Sequence, residues 1–491
     1  MRICFSKSYP SDRRLFVQLS ASRLIPLLSF SLGLVLAAAW LINLNPAAAH
    51  PVLIQALVPG EVYCVKPGGG SYPVCNHVYT TVQAALNAAT IGEEIRVMAG
   101  RYTGTSGIVA NITKKIKLLG GWNSDFTVRN PTLYPTILDG RRLGRVVQIT
   151  GSIAPTLDGF TITGGNANNE SFNPGKGGGI FVSLAGPIIQ NNVITDNIAY
   201  TGTTPLGIGG GIYLLNCTSS TVISANQIIS NTGSTNDWGL GGGLAAQGSS
   251  LKIIRNEIRN NFADRGGGGI YLHGDGAVIL DANTIISNLS TFSPTAQSNG
   301  GAIYIEFLSP FTMTNNIIAG NGANFHGGGI YIYGVGSDVS TGSLINNTLA
   351  DNKLGANDEG LSLSGYVTVT LVNNIIANHS IGLYAGHFSI ARSYYTLFYQ
   401  NTTANTSGPG SIISLHTISG LDPLFFSQSS SNYHLHPLSP AIDAGDPAGS
   451  PPAPAFDIDG DPRPLGLDVD IGADEARFVL FVPALLKSAS P

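Results

Sequence analysis

Charged residues are scarce in this chain. Lysine, arginine, aspartate and glutamate make up 11% of its 491 residues. Without the first 49 residues, 20 Lys and Arg remain against 28 Asp and Glu. Such a chain has no basic stripe for nucleic acid, and its acidic balance disfavours DNA and anionic membranes as partners. Its 62 glycines suit a long, polar but uncharged secreted β-protein better than a cytosolic enzyme.

Cysteine is rare as well, with four residues. Cys4 lies in the N-terminal segment that we expect to be removed. Cys64 and Cys75 are close together in a Gly- and Pro-rich segment, which predicts a small disulfide staple in an oxidising compartment. Cys217 is left over and is expected to be a small buried apolar residue rather than a reactive thiol.

The N-terminal segment has the features of a secretory signal. Five basic residues precede or begin the apolar stretch Leu24–Leu44, and Ala47-Ala48-Ala49 offers the small residues that a signal peptidase reads. Cleavage after Ala49 would place the mature protein outside the cytoplasm, secreted or on a bacterial cell surface. The alternative is an uncleaved membrane anchor, because the apolar stretch is long enough to span a bilayer.

Long apolar segments that could form crossover helices are missing from the rest of the chain, and a repeat takes their place. Gly-Gly-Gly-Ile begins at residues 177, 209, 267 and 327, Gly-Gly-Gly-Leu at 241 and Gly-Gly-Ala-Ile at 300. A second mark, Asn followed after one residue by apolar residues, falls between these repeats. Two interleaved marks with one loose period indicate a solenoid.

Short strands without helices predict an all-β fold, a right-handed parallel β-helix of about eleven coils. Aligned asparagines could bond to the coils above and below, and we expect a single column. A glycine run before each strand permits a sharp bend with positive φ. The expected column comprises Asn226, Asn256, Asn283, Asn315 and Asn346.

An amphipathic stripe predicts a helical cap over the open end of the first coil. Its apolar members are Val82, Ala85, Leu86 and Ala89. The predicted organisation is a signal peptide at 1–49, an N-terminal cap with a short helix at 50–93 and the β-helix at 94–435. An Asp/Pro/Gly-rich C-terminal region at 436–476 and a short apolar tail at 477–491 follow.

Four segments of the sequence resemble known β-helix proteins. The segments 81–102 and 120–140 are similar to the start of right-handed parallel β-helix proteins of the pectate-lyase-like superfamily. The segments 439–445 and 457–473 resemble bacterial surface β-helix proteins with a choice-of-anchor Q region. The resemblance implies this fold, but the superfamily mixes lyases, hydrolases, epimerases and non-catalytic adhesins.

Strand alternation predicts an outward aromatic column on the strands that follow the glycines. If it is exposed, sugar rings could stack on it. The alternative is that aromatics only pair well across strands. The expected substrate-binding residues are Phe181, Tyr213, Tyr271, Tyr304, Tyr331 and Trp238.

Polar residues flank this column and are the candidates for catalysis. A carboxylate, a histidine and an arginine together could abstract a proton from a uronate and stabilise the anion. Glu306 with Asp264 or Asp275 could instead form the carboxylate pair of a glycosidase. The alternative is scattered surface polarity. The candidates are His273, Glu306, Asp264, Arg265 and His326.

Catalytic motifs of the superfamily are missing. The chain has neither the Asn-Thr-Asp and Gly-His-Gly motifs of polygalacturonases nor the Arg-x-Pro-x-x-Arg motif of pectate lyases with its calcium-binding aspartates.

The C-terminal region contains an Asp-rich loop with a possible calcium role. Asp457, Asp459 and Asp461 have the spacing of a calcium loop, with Asp468 at the twelfth position. Pro462 stands where an EF-hand needs glycine, so an Asp-rich turn is the alternative. The tail from Phe478 to Lys487 is too short to span a bilayer; sorting, docking or an extra capping strand are its possible roles.

Two functions follow as hypotheses. The first is a secreted or cell-surface protein that binds extracellular polysaccharide or another cell-surface component without chemistry. The second is a polysaccharide lyase or glycoside hydrolase that acts on the outer face of the Gly-Gly-Gly-Ile strands. A passive surface stalk is a third possibility.

Overall fold

Three long parallel sheets dominate the structure, a computed structural model that describes residues 60–477 except 203–205, 236–237, 275, 292–296, 309, 337 and 354–357. The predicted signal segment 1–49, Asp275 and the tail beyond Arg477 lie outside the described residues. No described helix is both long enough and apolar enough to cross a membrane.

The chain visits the sheets in turn, which we name A, B and C, and each strand pairs in parallel with its counterpart one coil away. The strands of sheet A, in spatial order, are His77–Tyr79, Val62–Val65, Glu94–Met98, Lys117–Trp122, Thr156–Asp158, Ile188–Gln190, Thr221–Ser224, Leu251–Ile254, Val278–Asp281, Phe311–Thr314, Ser340–Ile345, Val367–Val372, Ile390–Tyr394 and Ser411–Leu415. Those of sheet B are Gly100–Thr103, Thr136–Asp139, Phe160–Thr163, Val193–Thr195, Gln227–Ile229, Glu257–Arg259, Thr284–Ile286, Ile317–Ala319, Thr348–Ala350, Ile375–Ala377, Leu397–Tyr399 and Ile418–Ser419. Those of sheet C are Ala110–Ile112, Val147–Thr150, Ile180–Ser183, Ile212–Leu215, Leu244–Gln247, Ile270–His273, Ile303–Glu306, Ile330–Gly334, Glu359–Gly365, Ile381–Ala385 and Ala404–Ser407.

This arrangement is a parallel β-helix, as predicted. The eleven described strands of sheet C agree with the expected coil number. Parallel pairing begins at Val62–Val65, earlier than the predicted boundary at residue 94. It ends at Ile418–Ser419, because Phe425–Ser427 and Asn432–Leu435 form an antiparallel hairpin around the 3-10 turn Gln428–Ser430.

Small strands lie between sheets B and C. One set comprises Ile198–Tyr200, Thr232–Ser234, Phe262–Ala263, Leu289–Ser290 and Gly322–Ala323. A second pair, Gly207–Ile208 and Gly239–Leu240, belongs to a ladder that isolated bridges continue through Gly266, Asn299 and His326. We call this second ladder the outer strip; it comprises residues 175–176, 207–208, 239–240, 266, 299 and 326.

Helix α1, Val82–Ala88, begins at Thr81, whose hydroxyl accepts the Ala84 N–H at 3.2 Å. Its residues Val82, Ala85 and Leu86 are buried in the same core cluster as the first coils, as the stripe predicted. The predicted Cys64–Cys75 disulfide is present, with 5.8 Å between the Cα atoms. Cys217 is free and buried, and burial raises the pKa of its thiol to about 11.

Two asparagine ladders run inside the β-helix. Asn256 Nδ2 donates to Asn283 Oδ1 at 3.0 Å and to the Ile223 carbonyl at 2.8 Å, so each amide joins three successive coils. The first ladder comprises Asn192, Asn226, Asn256, Asn283, Asn316, Asn347 and Asn374. The second comprises Asn197, Asn231, Asn261, Asn288, Asn321 and Asn352 and ends on His379.

The predicted asparagine column is therefore wrong at two positions. Asn315 and Asn346 adopt φ of 53° and 52° at the residue before the ladder, and Asn316 and Asn347 fill the column instead. A left-handed backbone turns the Asn315 and Asn346 side chains away from the column. They donate instead to carbonyls of the C-terminal region, at Phe456 and Asp470.

The glycine triplets have two roles. Gly267 has φ of 61°, which makes the bend before the strand, as predicted. Gly269 has an ordinary φ but faces the second ladder: a Cβ there would lie 3.1 Å from Asn288 Cγ and 2.7 Å from the Ala302 carbonyl oxygen. Close approach of neighbouring coils therefore favours a very small residue at the third position too, and alanine, Ala302, takes this place in one repeat.

Candidate functional site

The outward aromatic column on sheet C is buried, contrary to the prediction. Its residues Phe181, Tyr213, Tyr271, Tyr304 and Tyr331 are between 0% and 9% exposed. They form a second apolar cluster with Ile208 and Leu240 of the outer strip. A Cβ added at Gly266 of the strip would collide with the Tyr304 ring, so the strip passes directly over the column. These rings cannot serve as an exposed platform for sugars.

The predicted pairing of His273 with Glu306 is correct. The two residues are register partners on adjacent strands of sheet C, and both are half-buried. Tyr271 Oη donates to Glu306 Oε2 at 2.5 Å. Burial, reinforced by the Glu306 carboxylate, raises the pKa of both Tyr271 and Tyr304, so both phenols stay protonated.

His273 has an unusual environment. Its ring lies beside Phe307, 5.6 Å between centroids, and beside Tyr271 at 6.2 Å. Its Nδ1 atom is buried and has no hydrogen-bond partner among the described residues. Among the described residues the atom is therefore open to a further hydrogen bond.

The structure separates the other catalytic candidates. Asp264 is buried and accepts the Gly239 backbone N–H, which fixes the strip. The Arg265 guanidinium lies 3.9 Å from the centroid of the Trp238 ring, and Trp238 remains 42% exposed. His326 Nδ1 lies 3.0 Å from Glu359 Oε1, and Glu359 Oε2 accepts the Gly327 N–H. Each of these three candidates is thus engaged within the strip and its edge.

An exposed aromatic surface does exist, further along the strands than predicted. Phe307 and Tyr333 are half-buried with ring centroids 5.5 Å apart, and Phe307 also contacts His273. Tyr333 lies next to Gly365. The residue after this glycine, Tyr366, stacks its ring on that of Phe388, with ring centroids 4.9 Å apart and an interplanar angle of 3°. These two rings are 40% and 69% exposed. We call Phe307, Tyr333, Tyr366 and Phe388 the turn aromatics.

Sequence reasoning missed the turn aromatics because they do not repeat. They occupy the last positions of sheet C strands and the residues after them, where coil lengths differ. The available signal was the pair of aromatics just past two strands, Tyr366 after Glu359–Gly365 and Phe388 after Ile381–Ala385.

The Asp-rich loop does not bring its four candidates together. Asp457 is buried, and its carboxylate accepts the backbone N–H groups of Asp459, Asp461 and Glu475. Asp461 forms a bidentate ion pair with Arg477, and the Asp468 carboxylate accepts the Val469 N–H. Asp457 therefore has the structural role of the Asp-rich turn.

Of the four candidates, Asp459 alone joins a group of side chains with metal-ligand spacing. This group consists of His434, Asp459 and Asp474. The Asp459 hydrogen bond raises the pKa of His434, and the same bond lowers the pKa of Asp459. Burial raises the pKa of Asp474.

One family model agrees with the fold. The family model "Right handed beta helix region" matches residues 242–416, which identifies the stacked coils as a right-handed parallel β-helix. No curated protein matches the sequence. Among solved structures, the crystal structure of the pectate lyase Pel9A is 13% identical, with a TM-score of 0.46, over 85% of this chain and 96% of that chain.

Proposed function

We propose that this is a secreted or surface-displayed protein that binds extracellular polysaccharide without chemistry. The proposed binding surface consists of the turn aromatics and an adjoining half-buried row on sheet C, formed by Gln247, His273, Glu306 and Tyr333. The observation that carries the proposal is the stacked Tyr366–Phe388 pair, 40% and 69% exposed. Parallel rings held open to water on a weakly charged protein provide a flat apolar surface, on which a sugar ring can stack.

Polar groups beside the turn aromatics supply the hydrogen bonds that such a ligand needs. Gln247, His273, Glu306 and Tyr333 follow one another in register on four adjacent strands, each half-buried. Adjacent strands lie about 4.8 Å apart, so the row presents donors and acceptors at regular intervals. A linear polymer of sugars can bind along such a row and place its hydroxyls against it.

The charge of the row favours a neutral polysaccharide. Glu306 contributes a carboxylate to the row, and the chain without residues 1–49 carries an excess of acidic residues. A uronate polymer would be repelled by both. The disulfide Cys64–Cys75 supports an oxidising, extracellular location.

The test is binding of the full chain to neutral and uronate-containing polysaccharides, with retention and product release both measured. We expect the double variant Tyr366→Ala/Phe388→Ala to lose about tenfold in affinity for the neutral polymers, since one buried aromatic contact of ~1.4 kcal/mol corresponds to that factor. Phe456→Ala is the matched control, because Phe456 is 55% exposed but lies in the C-terminal region. Equal retention of the double variant and the control would refute the proposal.

A second candidate function rests on the Tyr271–Glu306–His273 contacts. A carboxylate, a protonated tyrosine and a histidine whose Nδ1 has no hydrogen-bond partner among the described residues could transfer protons to a glycosidic linkage. If the protein is such an enzyme, the unmodified chain releases soluble products and Glu306→Gln abolishes their release. In a binder, Glu306→Gln changes retention little and no products form.

A further inference from the structure

An open cavity of about 630 Å³ lies between the antiparallel hairpin and the Asp-rich turn of the C-terminal region. Asn432 and His434 line it from the hairpin strand Asn432–Leu435, and Asp459 and Asp474 line it from the C-terminal region. The cavity belongs neither to sheet C nor to the turn aromatics.

Three side chains in this cavity have the geometry of metal ligands. His434 Nε2 lies 3.0 Å from Asp459 Oδ2. One ligand atom from each of His434, Asp459 and Asp474 lies within 4.8 Å of the others. Bonds of about 2.0–2.2 Å in a tetrahedral site place ligand atoms about 3.4 Å apart, so small side-chain rotations close the set around one ion.

An outer partner orients the histidine. Its Nδ1 lies 2.7 Å from Asn432 Oδ1, which can only accept, so Nδ1 donates to it and Nε2 faces Asp459, where a metal ion would take the place of the proton between the two groups. Asn432 lies outside the ligand set, and orientation of a ligating histidine by such an outer partner is typical of metal sites.

Three buried carboxylates of this region, Asp457, Asp470 and Asp474, have no arginine or lysine ion pair among the described residues, and of these Asp474 lines the cavity. Arg463 pairs with Glu475 and Arg477 pairs with Asp461. Asp474 is 7% exposed and has no arginine or lysine partner among the described residues. Its Oδ2 accepts the Leu435 N–H at 2.7 Å. A buried carboxylate is costly unless a cation is paired with it, and Asp474 lines the cavity from which a cation could reach it.

We propose that His434, Asp459 and Asp474 bind a Zn²⁺ ion that fastens the Asp-rich turn to the hairpin. An imidazole nitrogen with two carboxylate oxygens suits zinc, whereas calcium takes six to eight oxygen ligands and does not select histidine. Three protein ligands leave one tetrahedral position for a water from the cavity. This site replaces the calcium loop expected from the Asp457-x-Asp459-x-Asp461 spacing.

Titration of the chelator-treated full chain with Zn²⁺ alone tests the proposal, with Ca²⁺ in a parallel arm. We expect one saturable Zn²⁺ site per chain and a higher Tm with zinc. His434→Ala and Asp459→Asn should each weaken binding more than about tenfold, and Asn432→Ala by ~10- to 100-fold through loss of the histidine orientation. His436→Ala is the matched control, because His436 is exposed two residues along the same segment.

Circular dichroism of the metal-free variants separates misfolding from loss of the ligand, and Asp459→Asn is the decisive variant because its side chain is 55% exposed. Absence of saturable Zn²⁺ binding would overturn the proposal. So would wild-type affinity in folded Asp459→Asn, or Ca²⁺ binding at the same site as tight as that of Zn²⁺.

Discussion

At the scale of single residues, the asparagine ladders determine which substitutions the β-helix tolerates. Each ladder amide lies between a backbone carbonyl of one neighbouring coil and the amide oxygen of the other, and all are buried. Loss of one side chain leaves several polar groups unpaired, and each unpaired buried group costs about 1–3 kcal/mol.

Asn283→Ala should therefore lower the free energy of unfolding by several kcal/mol, about 1–3 for each group left unpaired. It removes the acceptor of the Asn256 amide and the donor to the Ile253 carbonyl. Denaturant unfolding followed by circular dichroism measures the loss. Asn260→Gly is the control, because Asn260 is exposed and glycine keeps its φ of 54°. Equal loss in both variants would contradict a special role for the ladder.

His379 ends the second ladder and makes it sensitive to acid. Full burial lowers the pKa of His379 to about 3. The unfolded chain therefore binds a proton at this residue at a higher pH than the folded chain does, so this contribution to stability is present above pH 6.5 and is lost as the pH falls towards 3. The expected slope is ~1.4 kcal/mol per pH unit within that window.

His379→Asn should continue the ladder and remove this component. We expect the difference in unfolding free energy between wild type and His379→Asn to change with pH between about 6.5 and 3. Above about pH 6.5 this difference should be constant. Carboxylates titrate in both proteins and cancel in the difference. A difference that does not depend on pH would show that His379 is protonated in the folded protein.

The spacing of asparagines predicted that a ladder exists, but not which asparagine of each adjacent pair belongs to it. The spacing of asparagines correctly placed Asn226, Asn256 and Asn283 in one column. At Asn315-Asn316 and Asn346-Asn347 two adjacent asparagines compete for the position, and sequence alone does not say which adopts the left-handed backbone. Asn315 and Asn346 donate hydrogen bonds to carbonyls more than a hundred residues away, contacts that the local sequence does not reveal.

At the scale of elements, sheet C has an outer layer that period-two alternation cannot predict. The inward column of isoleucines and leucines was predicted correctly, because one face of every strand must fill the core. The outward face was expected to be exposed, but the residues before the glycines fold over it as the outer strip. The residue just before each glycine triplet differs from coil to coil, so its type gives no sign of a covering strand. These residues are Lys176, Ile208, Leu240, Gly266, Asn299 and His326. The half-exposed site at the edge of the strip was therefore only partly found, through His273 and Glu306.

Burial of the column changes what Tyr271→Ala and Tyr304→Ala should do. Each removes a ring that packs between its neighbours in the stack, Tyr304 on Tyr331 and Tyr271 on Tyr304, with centroids 5.3 Å apart. We expect each to destabilise the fold by about 3–5 kcal/mol, as aromatic truncations in cores do. Thermal unfolding compared with the exposed Tyr366→Ala, for which little change is expected, measures this. Unchanged Tm in Tyr304→Ala would mean that the strip does not cover the ring in solution.

At the scale of the whole molecule, the C-terminal region covers the outer face of sheet B. Its Ala441, Ile471 and Ala476, together with Leu435 of the hairpin, pack on the outer face of sheet B. Ala473 and the hairpin residue Tyr433 pack on earlier coils of the same sheet. The outward residues there, such as Ile317, Ile375 and Leu397, are apolar and buried. Without the region, sheet B would expose an apolar surface across several coils.

Arg463 is the residue on which this attachment depends most. Its side chain is fully buried, pairs with Glu475 at 2.7 Å and donates to the carbonyls of Asp470 and Gly472. Arg463→Ala leaves Glu475 buried without its cation, a change that costs about 3–5 kcal/mol. We expect the C-terminal region to detach and become sensitive to protease while circular dichroism still reports the β-helix. The coils have their own ladders and core, so loss of the region should not unfold them.

Limited proteolysis with mass spectrometry measures this detachment. Arg477→Ala provides the control, since Arg477 pairs with Asp461 at the surface and its side chain is 71% exposed. Cleavage within residues 436–477 in Arg463→Ala, with protection in Arg477→Ala and wild type, is the expected result. Equal protection of all three proteins would show that apolar packing on sheet B holds the region without the buried ion pair. Loss of the β-sheet signal in Arg463→Ala would show instead that the coils depend on the region for their own stability.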